Sequence, residues 1–213
     1  MKYDLVIFDF DGTLADTFPF FVDAYGIVAE KHGLARLDHG QLDTLRTLDT
    51  RQLMAQVGLP LWKLPGVARH FRQLMAGRIE QIALFDGIPA LLRQLAAQGT
   101  RLAIVSSNSA GNVRRVLGPE QAALFAHIEC GAALFGKRSK LRRVVAASGV
   151  PRQRVLCLGD ELRDIDAAHA EGLACGAVGW GYASTATLAA KGPERLFGSV
   201  DELAAALTAA DRR

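Results

Sequence analysis

Five short apolar runs punctuate the chain, at residues 4–9, Leu102 to Val105, Ala126 to Cys130, Val155 to Leu158 and Ala174 to Val178. Their length suits strands buried on both faces, which read as continuous apolar runs and not as alternating ones. Between the later runs the period changes. After Gly87, apolar residues fall at Ile88, Leu91, Leu92 and Leu95, and the same helical spacing returns at Leu141, Val144 and Val145. Asp164 to Ala170 reads as a closely packing, alanine-rich helix ended by Gly172, and Val200 to Ala210 as a further Ala-rich helix. Strands alternating with helices predict an α/β fold, a parallel sheet with helices on both faces.

Residues 16 to about 85 break the alternation. Phe18, Phe21, Val22 and Tyr25 have helical spacing, with Thr17 placed as an N-cap and Pro19 in the first turn. Leu42, Leu45 and Leu48, then Leu53, Met54 and Val57, then Phe71, Leu74, Met75, Ile79 and Ile82 continue it. Pro60, Pro65 and Gly66 mark a turn. The reading is an all-helical insert, giving an α/β core of residues 1–15 and 86–213 and a helical domain of residues 16–85.

In a parallel sheet, ligands sit beyond the carboxyl ends of the strands. Those ends carry polar residues here. The first run stops at Asp9-Phe10-Asp11-Gly12-Thr13, the second at Ser106-Ser107-Asn108-Ser109, and the fourth at Gly159-Asp160-Glu161 with Asp164 close behind; Gly136-Lys137 follows the third. Side chains two apart leave a strand on one side, so Asp9 and Asp11 can face one site. Clustered acids repel unless a cation is present. Asp9, Asp11, Asp160 and Asp164 offer hard oxygens without His or Cys nearby, which selects Mg²⁺ over zinc. A lysine would neutralise a second phosphate charge, and hydroxyls and amides at a helix start would hold the remaining oxygens. The ensemble fits a caged phosphoryl group with a carboxylate placed to attack it. Each piece also has an ordinary reading: a strand exit, an N-cap, a surface lysine, a turn. Their joint occurrence in order favours the site.

Composition narrows the classes. The chain has 213 residues, 50% of them hydrophobic, which suits one domain or one domain with a smaller insert. Its net charge of +3 is too weak to imply nucleic acid. The basic run Lys137 to Arg143 reads either as a solvated helix face or as phosphate-facing, and it lacks the interleaved aromatics of a nucleic-acid module. Cys130, Cys157 and Cys175 are widely spaced and read as small buried hydrophobes in a reducing compartment. The scattered histidines, His32, His39, His70, His127 and His169, have no catalytic reading. No run approaches a membrane span, so the expectation is a soluble cytoplasmic protein without a nucleic-acid or membrane partner, working as a monomer or homodimer.

The motifs resemble those of the haloacid dehalogenase-like hydrolases, in particular the phosphoglycolate phosphatase-like branch, over essentially the whole chain. "DFDGTLADT" looks like the family's first motif, "LAIVSSNS" the second, "FGK" the region of the third and "VLCLGDELRDIDAAHAEG" the fourth; "AVGWGYAS" and "SVDEL" resemble the tail of the branch. The resemblance implies a Rossmann-like core and a helical cap that closes over the substrate. It implies Asp9 as nucleophile, forming an aspartyl phosphate, and Asp11 as general acid and then base. Mg²⁺ would be held by Asp9, the Asp11 carbonyl and Asp160, with Asp164 in support. Thr13, Ser106, Ser107 and Asn108 would bind phosphate or substrate, and Lys137 would pair with both phosphate and Asp9. Arg138 stands where many relatives have Pro, so Lys140 competes with Lys137, which its place between strand and helix favours. Glu161 replaces a small polar residue and adds charge near the metal.

The resemblance points to a Mg²⁺-dependent phosphatase acting on a small phosphate monoester such as phosphoglycolate. An acid at position 11 favours an oxygen leaving group over halide, and neither Lys31 nor Lys63 sits in a recognisable Schiff-base motif. A phosphomutase on the same core stays open, since only the phosphate acceptor differs. A non-catalytic phosphate- or protein-binding module would be expected to lose Asp9, Asp11 or Asp160, and none is lost. Arg46 and Arg51 are the candidates to meet an anionic end of the substrate; the alternative is that they are solvated helix charges.

Overall fold

The computed structural model describes residues 3–37, 40, 42–131 and 136–208. His39, Phe135 of the "FGK" stretch and the last two residues of the expected C-terminal helix lie outside them. Six strands, β1 (Leu5–Phe8), β2 (Arg101–Val105), β3 (Phe125–Glu129), β4 (Val155–Gly159), β5 (Ala174–Val178) and β6 (Arg195–Phe197), form one sheet in the order β3-β2-β1-β4-β5-β6. Every pairing is parallel. The order runs outward in both directions from β1 and β4, so the connections after these two strands leave towards opposite halves of the sheet. That reversal opens a crevice beyond their carboxyl ends, where ligands bind in sheets of this kind.

The continuous apolar runs are explained by what covers them. Alternate residues of a strand face opposite sides. Val6, Phe8, Leu102, Ile104 and Leu156 pack on one face with Leu91, Leu92 and Leu95 of α5 (Ile88–Ala97) and with Leu203 of α10 (Val200–Thr208). Leu5, Ile7, Ala103, Val105 and Cys157 pack on the other with Leu141 and Val144 of α7 (Lys137–Ser148) and with Ile165 and Ala168 of α8 (Leu162–His169). The three cysteines are unpaired thiols, and Cys157 and Cys175 are buried partners on adjacent strands. Strand β6 had no signal in the sequence: three residues are too few for a period to show, and Pro193 stands just before it.

The segment between β1 and β2 is helical before it reaches α5. It contains α1 (Phe18–His32), α2 (Leu42–Leu45), α3 (Thr50–Gln56) and α4 (Leu64–Gly77), with single 3₁₀ turns at Leu61–Lys63 and Ile79–Gln81. Among its described residues there is no strand, only isolated bridges, one of which pairs Ala15 with Leu84. The chain therefore enters and leaves this segment side by side. Asp16 N–H donates to the Ala83 carbonyl and Phe85 N–H to the Leu14 carbonyl.

Two local expectations need correction. Thr17 holds the N-cap position of α1 but makes no capping bond; its hydroxyl is 3.0 Å from the Tyr182 hydroxyl instead. Pro65 and Gly66 do not form a turn. They lie in the first turn of α4, where a missing N–H costs nothing because that donor has no helical partner.

The arginines of the basic run on α7 lie on its outer, half-exposed face and are paired there with acids. Arg138 and Arg142 both reach the buried Glu171 carboxylate, at 2.6 and 2.7 Å, and Arg152 joins them. Arg143 pairs with Glu129. The Arg142 and Arg138 hydrogen bonds push the Glu171 carboxyl from its ordinary 4.5 down to about 2. A depressed carboxyl stabilises the fold above its unfolded pKa, and that share is lost as pH falls from about 4.5 towards 2. Glu171→Gln is expected to lower stability by about 1 kcal/mol at pH 7 and to flatten the acid limb between these values. Urea unfolding across pH measures both; an unchanged acid limb would contradict the assignment.

Candidate active site

Strand β1 stays in the sheet through Asp9, whose N–H donates to the Leu158 carbonyl. Phe10 then turns into the core, fully buried, while Asp9 and Asp11 point the other way. The chain reverses at once. Gly12 takes φ +76°, and the Leu14 and Ala15 N–H groups both donate to the Phe10 carbonyl at 3.0 Å.

The other strand ends converge here. Lys137, the first residue of α7, brings Nζ to 2.8 Å from Asp9 Oδ2 and 2.5 Å from Asp164 Oδ1. Lys140, one turn on, points elsewhere and donates to the carbonyls of Ser106 and Gly131 at 2.7 Å each. The two lysines are thus distinguished: Lys137 touches the acids, and Lys140 ties together the loops after β2 and β3. Asn108 Nδ2 donates to Asp11 Oδ1 at 2.9 Å, and Ser106 Oγ accepts from the Asn108 N–H. Beyond β4, buried Asp160 accepts from Thr13 Oγ1 and from the Tyr182 N–H, each at 2.8 Å.

Carboxylate oxygens of Asp9, Asp160 and Asp164 lie within 4.8 Å of one another, and all three residues are buried. Among the described residues the ammonium paired with them is that of Lys137, which meets Asp9 and Asp164 and leaves the trio, when ionised, two positive charges short. Burial raises the Asp9 pKa, with Lys137 opposing it. Burial raises Asp160 well above its ordinary value, and the Glu161 and Asp164 charges push the same way. Burial works against the Lys137 charge, but Asp164 and Asp9 outweigh it, so its pKa stands above normal. Asp11 is pushed up to about 7, by burial first and by the Asp9 charge second. An oxygen-only cluster short of two charges fits a hard divalent cation.

Glycines let these acids sit so close to the backbone. A Cβ at Gly12 or Gly181 would collide with the Asp160 side chain, and one at Gly159 would collide with Asp164. Glu161, the additional carboxylate, is felt at Asp160 but is itself paired. It forms an ion pair with Arg163, Nε to Oε2 at 2.7 Å.

A cavity of about 280 Å³ lies between this floor and the helical segment. Asp11, Ser107 and Asn108 line it from the strand ends, and Phe18, Phe21, Phe71 and several leucines from the helices. Four of the expected phosphate or substrate contacts, Thr13, Ser106, Arg51 and Lys137, are not part of its wall. The Thr13 hydroxyl is directed at Asp160 and braces that carboxylate. Arg51 is exposed on α3 and is not part of the cavity wall. Ser106 is buried and also absent from the wall. Arg46 does line it, but Nε and Nη2 donate to the Tyr182 and Gly181 carbonyls at 3.1 and 2.7 Å. The sequence reading assigned no role to Tyr182, Arg163 or Arg72, all of which line the cavity. Tyr182 follows β5, so asking what lies beyond the fifth strand end would have found it.

Residues 6–178 match the family model of the haloacid dehalogenase-like hydrolases. The chain belongs to this family. It is 32% identical to a phosphoglycolate phosphatase of Synechococcus elongatus, over 95% of this chain and 96% of that one. It is 33% identical to the tyrosine-protein kinase PtkA of Mycobacterium tuberculosis, over 84% of this chain and 62% of that longer one. A haloacid dehalogenase-like family hydrolase from Streptococcus pneumoniae superposes with a TM-score of 0.79 at 19% identity, covering 96% of this chain and 98% of that one. The family match and the Synechococcus relative place the chain in the phosphoglycolate phosphatase-like branch of the haloacid dehalogenase-like hydrolases, as a phosphatase, and the Streptococcus structure shares its fold. Among the described residues no helix is long and apolar enough to cross a membrane.

The glycine packing is testable. Gly181→Ala is expected to displace Asp160, lowering stability by about 1–3 kcal/mol and shrinking the thermal shift that Mg²⁺ produces. Calorimetric melting with and without Mg²⁺ reads both; a wild-type shift would show that Asp160 had not moved.

Proposed function

We propose that this haloacid dehalogenase-like protein is a Mg²⁺-dependent phosphatase that hydrolyses a small phosphate monoester through an aspartyl phosphate on Asp9. The observation that carries the reading is Asp9 itself: a buried carboxylate at the switch point of the sheet, 2.8 Å from the Lys137 ammonium and beside two further acids. Asp9, Asp160 and the Asp11 carbonyl, supported by Asp164, would hold the Mg²⁺. When bound, the ion supplies positive charge to the phosphoryl oxygens and to the crowded carboxylates.

In the first step an Asp9 oxygen attacks phosphorus and the bond from phosphorus to the ester oxygen breaks. Asp11, two residues on and at the cavity, gives its proton to the departing alkoxide. The Asn108 amide fixes the Asp11 carboxyl for that transfer. In the second step Asp11, now anionic, takes a proton from water, whose oxygen attacks the same phosphorus. The acyl phosphate bond breaks, inorganic phosphate leaves and Asp9 is restored. Lys137 pairs with Asp9 and with the phosphoryl charge in both steps, and the Ser107–Asn108 turn offers hydrogen bonds to the remaining oxygens. Residues 16–85 act as the cap, whose apolar walls exclude bulk water.

A panel of phosphate monoesters assayed with Mg²⁺ and with EDTA tests this. Phosphate release is expected to need Mg²⁺ and to fall at least about a thousandfold in Asp9→Asn, with Lys137→Ala falling about a hundredfold or more. Equal activity of Asp9→Asn and wild type would remove Asp9 as the nucleophile.

A further inference from the structure

The cavity above Asp11 says more about the ester than the strand ends do. Its outer wall is aromatic and aliphatic. Phe21 and Phe71 stack with centroids 5.0 Å apart and planes 17° from parallel, and Leu45 and Leu53 face the same space. At about 280 Å³ it approaches the lower end of ordinary small-molecule sites, about 300–1,000 Å³, and is more than a two-carbon acid needs.

The wall carries three arginines, Arg46, Arg72 and Arg163, and three acids, Asp11, Asp49 and Glu161, of which Arg163 and Glu161 form an ion pair. Each arginine also donates to a protein oxygen: Arg46 to the Gly181 and Tyr182 carbonyls, Arg72 to the Ser107 carbonyl, Arg163 to Glu161. Asp49 accepts the Gln52 N–H in the capping box of α3. A carboxylate on the substrate's far end would have to leave water and compete with backbone carbonyls that already hold the Arg46 and Arg72 guanidinium groups, in a wall that is otherwise mostly apolar. An apolar ring there would displace water and stack on Phe21 and Phe71.

We infer that the preferred substrate, given the phosphatase reading above, is a phosphate monoester whose alcohol carries an apolar, ring-sized group and not a second anion. The cap discriminates by apolar contact. Neither of the two arginines picked out from the sequence supplies an unengaged charge to the cavity: Arg51 is outside it, and Arg46 holds the loop after β5 with its guanidinium over the Phe18 ring.

The test compares benzyl phosphate, ethyl phosphate and 2-phosphoglycolate on the wild-type enzyme with Mg²⁺. All three leave as primary alkoxides, so the chemistry is closely matched. The kcat/KM for benzyl phosphate is expected to exceed that for ethyl phosphate by about tenfold or more, mainly through KM, with phosphoglycolate no better than ethyl phosphate. Phosphoglycolate equal to or above benzyl phosphate would overturn the inference. Loss of turnover on every ester would instead overturn the phosphatase reading. In that case calorimetry decides the inference: benzylphosphonate is expected to bind about tenfold tighter than methylphosphonate, and equal affinities would refute it. Leu45→Arg is expected to bring benzyl phosphate down towards ethyl phosphate while raising phosphoglycolate; an unchanged order in a folded variant would also refute it. The wild-type series carries the test whether or not that variant folds.

Discussion

Asp9, Asp160 and Asp164 lie buried within reach of one another, and the Lys137 ammonium meets two of them. Burial makes Asp9 and Asp160 resist ionisation, and the Asp164 charge beside them adds to it. The fold makes the arrangement tolerable in several ways at once. The strand order brings the ends of β1 and β4 together at the switch point, so the acids arrive on rigid backbone. Lys137 enters from the first turn of α7 and meets Asp9 and Asp164 together. Thr13 and the Tyr182 N–H each give Asp160 a hydrogen bond. The extra carboxylate, Glu161, comes with its own guanidinium two residues on. What remains is a shortfall of positive charge in a pocket of oxygens, which fits a hard divalent cation.

Much of this was legible in the sequence because the signals are local. A four-residue apolar run such as Leu5–Phe8 announces a strand buried on both faces, and the polar residues that stop it announce a strand end. The rule that ligands gather at such ends brings Asp9, Asp11, Asn108, Lys137, Asp160 and Asp164 together from the sequence alone. The family resemblance then supplied roles. The parts that were not legible depend on partners far apart in the chain. Thr17 looks like an N-cap, but its hydroxyl meets Tyr182, 165 residues on. Thr13 looks placed for phosphate, but Asp160 takes it. The basic run on α7 could be read as solvated or as phosphate-facing because nothing near it in sequence shows that Glu171 collects two of its arginines. Periodicity carries no information about such pairings.

Tyr182 connects the two halves of the problem, the phosphate chemistry and the choice of ester. Its N–H holds Asp160, its hydroxyl meets Thr17, its ring packs edge-on against Phe18 and Phe21 of α1, and its carbonyl accepts from Arg46 beyond α2. The Ser184 N–H adds a bond to the Arg46 carbonyl. A rigid shift of α1 and α2 away from the sheet must therefore break these bonds or carry the loop after β5 with it, and that loop supports one of the three acids. Gly181 allows no slack, since a side chain there would already collide with Asp160. The apolar wall and the carboxylate cluster are thus mechanically joined through one aromatic side chain. What fills the cavity acts on the same residues that keep Asp160 in place, which ties the choice of ester to the geometry of the site that cleaves it.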